Sequence, residues 1–232
     1  MANYIAILQQ TLLPALSQNP TEDQLRARFL DAYQRTRSQV LLSSGNAISQ
    51  SLQQARQQLQ RIDLDVDPNR VALIGRALQL KRNQTFERAD RALMRSFTRA
   101  FRDTVLIQQQ ENLSENDKIR RILDTISPTP YQTVKGAALI RGISRIDRTE
   151  RQRLAHDTLY DMYQEAGVSY VYWRLSSSHK DYGGAEVCEV FAASTGTRAE
   201  LSSRVLLTGL YEISEVPDVP HPNCGCSIEP AN

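Results

Sequence analysis

The chain has 232 residues with 28 Lys and Arg against 26 Asp and Glu, a formal net charge of +2. That near balance argues against a dedicated nucleic-acid coat, which carries a strong basic excess, and no stretch reaches the ~18–20 consecutive apolar residues of a membrane span. A hydrophobic share of 41% with only 6% aromatics suits long amphipathic helices that each bury one stripe.

The length allows one large domain or two modest ones. Nearly all the basic residues are arginine, since the lysines are Lys81, Lys118, Lys135 and Lys180 alone. Arginine's planar fork suits ion pairs at assembly interfaces. The start, Met1-Ala2-Asn3-Tyr4-Ile5, lacks the basic and apolar regions of a signal peptide, so synthesis in the cytoplasm is expected. The three cysteines, an odd number without such a leader, speak against a disulfide framework.

Up to about Ala166 the chain reads as helix after helix. Tyr4, Ile5, Leu8, Leu12, Leu13 and Leu16 recur at three- and four-residue steps, the stripe of an amphipathic helix. Asn19-Pro20 punctuates it, with Asn19 the expected cap of the next helix. That helix uses Leu25, Phe29, Tyr33 and Val40, meets a candidate interruption at Ser43-Ser44-Gly45, and resumes through Ile48, Leu52, Ala55 and Leu59. Asp67-Pro68 is a restart signal, Asp as cap and Pro at the first helical position. The stripe from Val71 to Val105 exceeds the ordinary helix of ~10–14 residues, which points to an antiparallel hairpin, a coiled coil or an elongated arm. The glutamines around Gln53 to Gln60 and Gln108 to Gln110 fit solvated helix faces.

Ser114 caps a shorter helix through Ile126, and a small-residue helix is expected over Tyr131 to Gly142. Another runs from about Ile146 to Glu165, with Gly167 as its stop. The pattern then changes. Val168 to Leu175 is β-branched and aromatic, the clearest strand signal in the chain. Short apolar pieces and a proline-punctuated tail follow. The expected fold is α+β: a helical docking and assembly arm over 1–142 with long antiparallel helices, and a small C-terminal α+β module over 143–232.

His221-Pro222-Asn223-Cys224-Gly225-Cys226 places an imidazole and two thiols within six residues. With Cys188 upstream they form a Cys₃His set suited to one structural zinc, His179 being a substitute ligand. The spacing is not that of a standard finger. Three other readings stand beside zinc: small buried apolar cysteines, a disulfide from Cys188 to Cys224 or Cys226, and Cys–His catalysis. In the last, Cys188 or Cys224 would attack with His179 or His221 as base. His179-Lys180-Asp181 also fits a solvated loop, and His156 reads as a surface or packing residue in mid-helix.

A second pattern is the Arg-rich helix from Arg82 to Arg102, in which Arg82 is followed by Arg88, Arg91, Arg95, Arg99 and Arg102, the last five at three- and four-residue steps. These form a candidate DNA-contacting stripe, or a solvated face with Glu87, Asp90 and Asp103 interleaved.

Taken in order, Arg148-Thr149-Glu150, Trp173, His179, Cys188-Glu189-Val190-Phe191-Ala192 and Pro220-His221-Pro222-Asn223-Cys224-Gly225-Cys226 make the C-terminal part resemble the phage Mu F-like head-morphogenesis family, over about residues 145–230. Two positions depart from the family pattern: Gly225 stands where Arg is common, and Glu186-Val187 where an Asp often precedes the cysteine. The resemblance implies a minor capsid protein of the virion head or neck, not an enzyme. Its expected partners are the portal protein, the major capsid protein and packaged DNA, in several copies within a symmetric assembly. It implies a part in head morphogenesis and in genome delivery. A Cys/His-dependent hydrolase or toxin-like effector is the alternative from another class.

Overall fold

The apolar stripes set the helices of the computed structural model, which describes residues 4–16, 20–126, 139–175, 209–217 and 226–231. Five helices are present among them: α1 (Tyr4–Leu16), α2 (Glu22–Gln60), α3 (Pro68–Gln108), α4 (Glu115–Ile126) and α5 (Leu139–Glu165). Three short strands follow: β1 (Tyr170–Arg174), β2 (Leu210–Glu212) and β3 (Ser227–Pro230). The fold is α+β, mostly helical with a small antiparallel sheet near the C-terminus, as expected. No described helix is long and apolar enough to cross a membrane.

Local chemistry explains the helix ends. α2 starts on a reciprocal box in which the Thr21 amide donates to Gln24 Oε1 at 2.9 Å and the Gln24 amide to Thr21 Oγ1 at 3.3 Å. Thr21 is thus the cap, because the helix starts at Glu22, the residue directly after it; Asn19 lies outside the described residues. α3 begins as expected at Pro68, with the Asn69 amide donating to Asp67 Oδ1 at 2.6 Å. At α4 the Asp117 amide donates to Ser114 Oγ at 3.2 Å.

Two expected breaks do not occur. α2 runs unbroken through Ser43-Ser44-Gly45, because Ser44, Ala47 and Ile48 are buried there, Ile48 in a cluster with Leu78 and Leu154. Tertiary burial overrides the weak helix propensity of Ser and Gly. Likewise α5 already begins at Leu139 and passes through Gly142, where a Cβ would stand 3.2 Å from Ser96 Oγ. Residues 131–138 of the expected small-residue helix lie outside the described residues.

The chain forms two compact units, each discontinuous in sequence: residues 1–43 with 85–147, and residues 44–84 with 148–232. The sequence boundary at 142/143 falls within α5, a few residues before the crossing at Asp147.

In the first unit the stripe of α1 (Tyr4, Leu8, Leu12, Leu16) shares a core with Leu25 and Phe29 of α2 and Leu93 and Phe97 of α3. Phe29 meets Phe101 edge-on at 5.6 Å, and Tyr33 meets Phe97 at 5.8 Å. Arg37 lies over Phe86 at 5.4 Å. Positions rise along α2 as their partners fall along α3, so the two segments are antiparallel. Asp90 ties them together, accepting from Tyr33 Oη at 2.6 Å and from Arg37 Nε at 2.9 Å.

Burial and then the Asp90 carboxylate push the Tyr33 phenol up to about 12. Its folded value exceeds the unfolded one of ~10, so folding favours the neutral phenol. That contribution is whole below pH ~10 and is lost as pH rises towards 12. Tyr163, raised by burial in the second unit, acts in the same direction. Denaturant unfolding between pH 9 and 12 is expected to show falling stability with a shallower decline in Tyr33→Phe; an unchanged slope would contradict the Tyr33–Asp90 linkage.

In the second unit, Gly75 of α3 faces Leu52 of α2, and Ala55 and Leu59 of α2 share a core with Leu159, Met162 and Tyr163 of α5. The Tyr163 hydroxyl donates to Gln58 Oε1. α5 ends as expected at Gly167, whose φ is +73°. The Val168 amide returns to Tyr163 O at 3.0 Å and the Gly167 amide to Gln164 O at 3.1 Å. This pair of bonds needs a left-handed residue at Gly167, with Val168 packed in the same core as Tyr163. Gly167→Ala is expected to cost about 1 kcal/mol in chemical unfolding. A stabilised variant would exclude that backbone.

The sheet order is β2-β1-β3, all antiparallel. β1 alternates as a one-sided strand, with Val171 and Trp173 buried and Tyr170, Tyr172 and Arg174 turned outward. Opposite Tyr172 in register is Glu229, whose Oε2 lies 3.0 Å from Arg174 Nε. The buried side of the sheet joins the α5 core through Trp173, Tyr211 and Ile228.

Candidate functional site

A helix turns ~100° per residue, so Arg88, Arg91, Arg95, Arg99 and Arg102 fall on one side of α3, spanning ~21 Å. The opposite side holds Phe86, Ala89, Leu93, Phe97 and Ala100, all buried. All five arginines are exposed. The stripe read from the sequence therefore exists as a surface.

The acidic residues expected to dilute it have separate positions. Asp90 is turned to Tyr33 and Arg37 on α2. Glu87 lies 3.8 Å from Arg91, with both side chains mostly exposed, a pair worth little in water. Asp103 lines a recess together with Arg95 and Arg99. Arg82, which begins the run in sequence, belongs to the second unit; its Nε and Nη2 donate to Asn83 Oδ1. Partial burial lowers its pKa.

In the first unit, beside the middle of the stripe, a recess of about 240 Å³ is lined by Arg95, Ser96, Arg99 and Asp103 of α3, Thr125 of α4 and Arg145 of α5. Gly142 makes room at its floor, because any side chain there would press on Ser96. Ser96 Oγ donates to Ala92 O at 3.0 Å and Thr125 Oγ1 to Arg121 O at 3.1 Å. Both hydroxyl protons are thus committed to their own helices. Arg95, Arg99 and Arg145 bring three cationic side chains to the lining, and Asp103 brings one carboxylate. Nothing in the sequence pattern marks Arg145 as a neighbour of Arg95 and Arg99. Four-residue spacing reveals the α3 pair, but no local signal brings α5 beside it.

The cysteine–histidine cluster is only partly described. Cys188, His221 and Cys224, and the substitute ligand His179, lie outside the described residues. Cys226 is 1% exposed and packs in the core with Trp173 and Ile228. Its carbonyl accepts from Gln152 Nε2 at 2.6 Å. Among the described residues no group of three His, Cys, Asp or Glu side chains converges to hold a metal ion.

His156 is a packing residue, 6% exposed with its ring 5.5 Å from that of Trp173. Arg148-Thr149-Glu150 lies well inside α5, since the helix begins at Leu139 and not near Ile146. Glu150 is nearly buried and lies 3.0 Å from Arg153 Nη2. A further charged cluster sits in the second unit, where Lys81 Nζ lies 2.9 Å from Asp157 Oδ2. Burial raises the pKa of the neighbouring Asp161.

No protein-family model, curated protein or solved structure matches this chain.

Proposed function

We propose that this chain is a minor structural protein of a bacteriophage head. It is made in the host cytoplasm and incorporated into the virion. There it docks on the portal and major capsid proteins in several copies and serves head assembly rather than catalysis. The observation that carries this reading is the order of the C-terminal motifs, from Arg148-Thr149-Glu150 through Trp173 to Cys224-Gly225-Cys226. The fold supports it in kind. Trp173 anchors the central strand, and β3, which directly follows Cys226, pairs with that strand. The long helices of the rest of the chain offer extended surfaces for docking.

A structural zinc on Cys188, His221, Cys224 and Cys226 would staple this small module, which has a limited core of its own. Of the four, only Cys226 is described. Its buried setting suits a structural ligand and equally a small apolar side chain.

A second reading, contact with packaged DNA through Arg88, Arg91, Arg95, Arg99 and Arg102, is favoured by the exposure of all five on one side of α3. It is compatible with the first.

Co-purification with the portal and capsid proteins of the source phage, with zinc quantified in the complex, tests the proposal. A fixed low copy number per particle, and defective heads in its absence, are the expected results. Normal infectious heads lacking the protein would end the virion reading. One zinc per chain, lost in Cys226→Ala, would assign the staple.

A further inference from the structure

We propose that the recess between Arg95, Arg99 and Arg145 is a binding site for a phosphate group. The inference does not depend on the virion role, and it goes beyond the exposed stripe. Arg145 is on a different helix, and Arg88, Arg91 and Arg102 do not line the recess.

Three observations combine. First, three arginines from α3 and α5, Arg95, Arg99 and Arg145, line one cavity with a single acidic residue, Asp103. Arg95 and Arg99 stand four residues apart, a spacing at which like charges on a helix repel. Among the described residues neither has an ion-pair partner. An anion between them converts that repulsion into attraction.

Second, the chemistry of the lining is biased. The Ser96 and Thr125 hydroxyls donate to helix carbonyls, so a ligand's acceptors meet the guanidinium forks of Arg95 and Arg99, with Arg145 adding positive charge to the lining. A matching ligand is rich in acceptors and poor in donors. A phosphate group meets that description, and its oxygens suit the bidentate geometry of arginine. Third, the volume of about 240 Å³ holds more than one small ion. It leaves room for the atoms attached to a phosphate, or for waters around it. The ligand chemistry is shared by free inorganic phosphate and the backbone of a nucleic acid.

The test titrates the full chain with inorganic phosphate at constant ionic strength, followed by calorimetry. Saturable binding at one site per chain is expected. Arg95→Gln/Arg99→Gln should weaken it by about tenfold or more, while Arg28→Gln/Arg35→Gln, on α2 and outside the recess, should keep the wild-type affinity. Both pairs are exposed, so folding is expected to survive, and far-UV circular dichroism verifies it. Arg95→Lys/Arg99→Lys, which keeps the charge and loses the fork, should fall between.

A short DNA duplex then separates the sources. Duplex binding that phosphate competes and Arg95→Gln/Arg99→Gln weakens assigns the site to a nucleic-acid backbone. Phosphate binding without duplex binding assigns it to a free phosphate. Absence of saturable phosphate binding overturns the proposal. So does equal affinity in Arg95→Gln/Arg99→Gln, or binding of polyglutamate that phosphate does not displace.

Discussion

A Trp173→Ala variant is expected to lose about 3–5 kcal/mol of stability, the usual cost of truncating a buried aromatic side chain. Trp173 is 2% exposed at the centre of β1. It packs with His156 of α5 and shares its core with Val171, Ile228 and Tyr163. Removing the indole leaves a cavity whose walls are a hydrogen-bonded sheet and a long helix, neither of which can close in cheaply. Against a typical domain stability of ~5–15 kcal/mol, such a loss is a large share. Because Trp173 is the only tryptophan, unfolding must be followed by far-UV circular dichroism or hydrogen exchange. A loss below ~1 kcal/mol would mean that the sheet is not packed on α5 as described.

Phe97→Ala should have a comparable effect on the first unit, about 3–5 kcal/mol. Phe97 is 2% exposed and faces the Tyr33 ring edge-on at 5.8 Å. The aromatic contact adds ~0.5–1.5 kcal/mol beyond buried area. Its removal also loosens the setting of the Tyr33–Asp90–Arg37 network. The control is Arg91→Ala, six residues earlier and on the solvent side of α3. It loses only an exposed pair with Glu87 and should change stability by no more than ~0.5 kcal/mol. Equal effects from the two substitutions would contradict the assignment of buried and solvent sides to α3.

That contrast between the sides of α3 was legible in the residues. The step from Phe86 through Leu93 to Phe97 names the buried side, and Arg88 through Arg102 the wet one, because a helix repeats its faces every three to four residues. Asp67-Pro68, Ser114 and Gly167 were legible as helix ends for the same local reason. A cap or a left-handed stop is chemistry between residues three to five apart. The strand at Tyr170–Arg174 was legible from its β-branched and aromatic run.

What the sequence determined by itself is therefore the local grammar: α1 to α5 in outline, β1, and a basic side on α3. The tertiary structure alone decided which segments meet. It carried α2 through Ser43-Ser44-Gly45 on the burial of Ser44 and Ile48, and it paired β2 and β3 with β1. It also split the long helices between two compact units and brought Arg145 to the same recess as Arg95 and Arg99. Those outcomes depend on contacts between residues tens to over a hundred positions apart. Periodicity and capping cannot encode such contacts, since the free energy that selects them comes from burying one element's apolar face against another's.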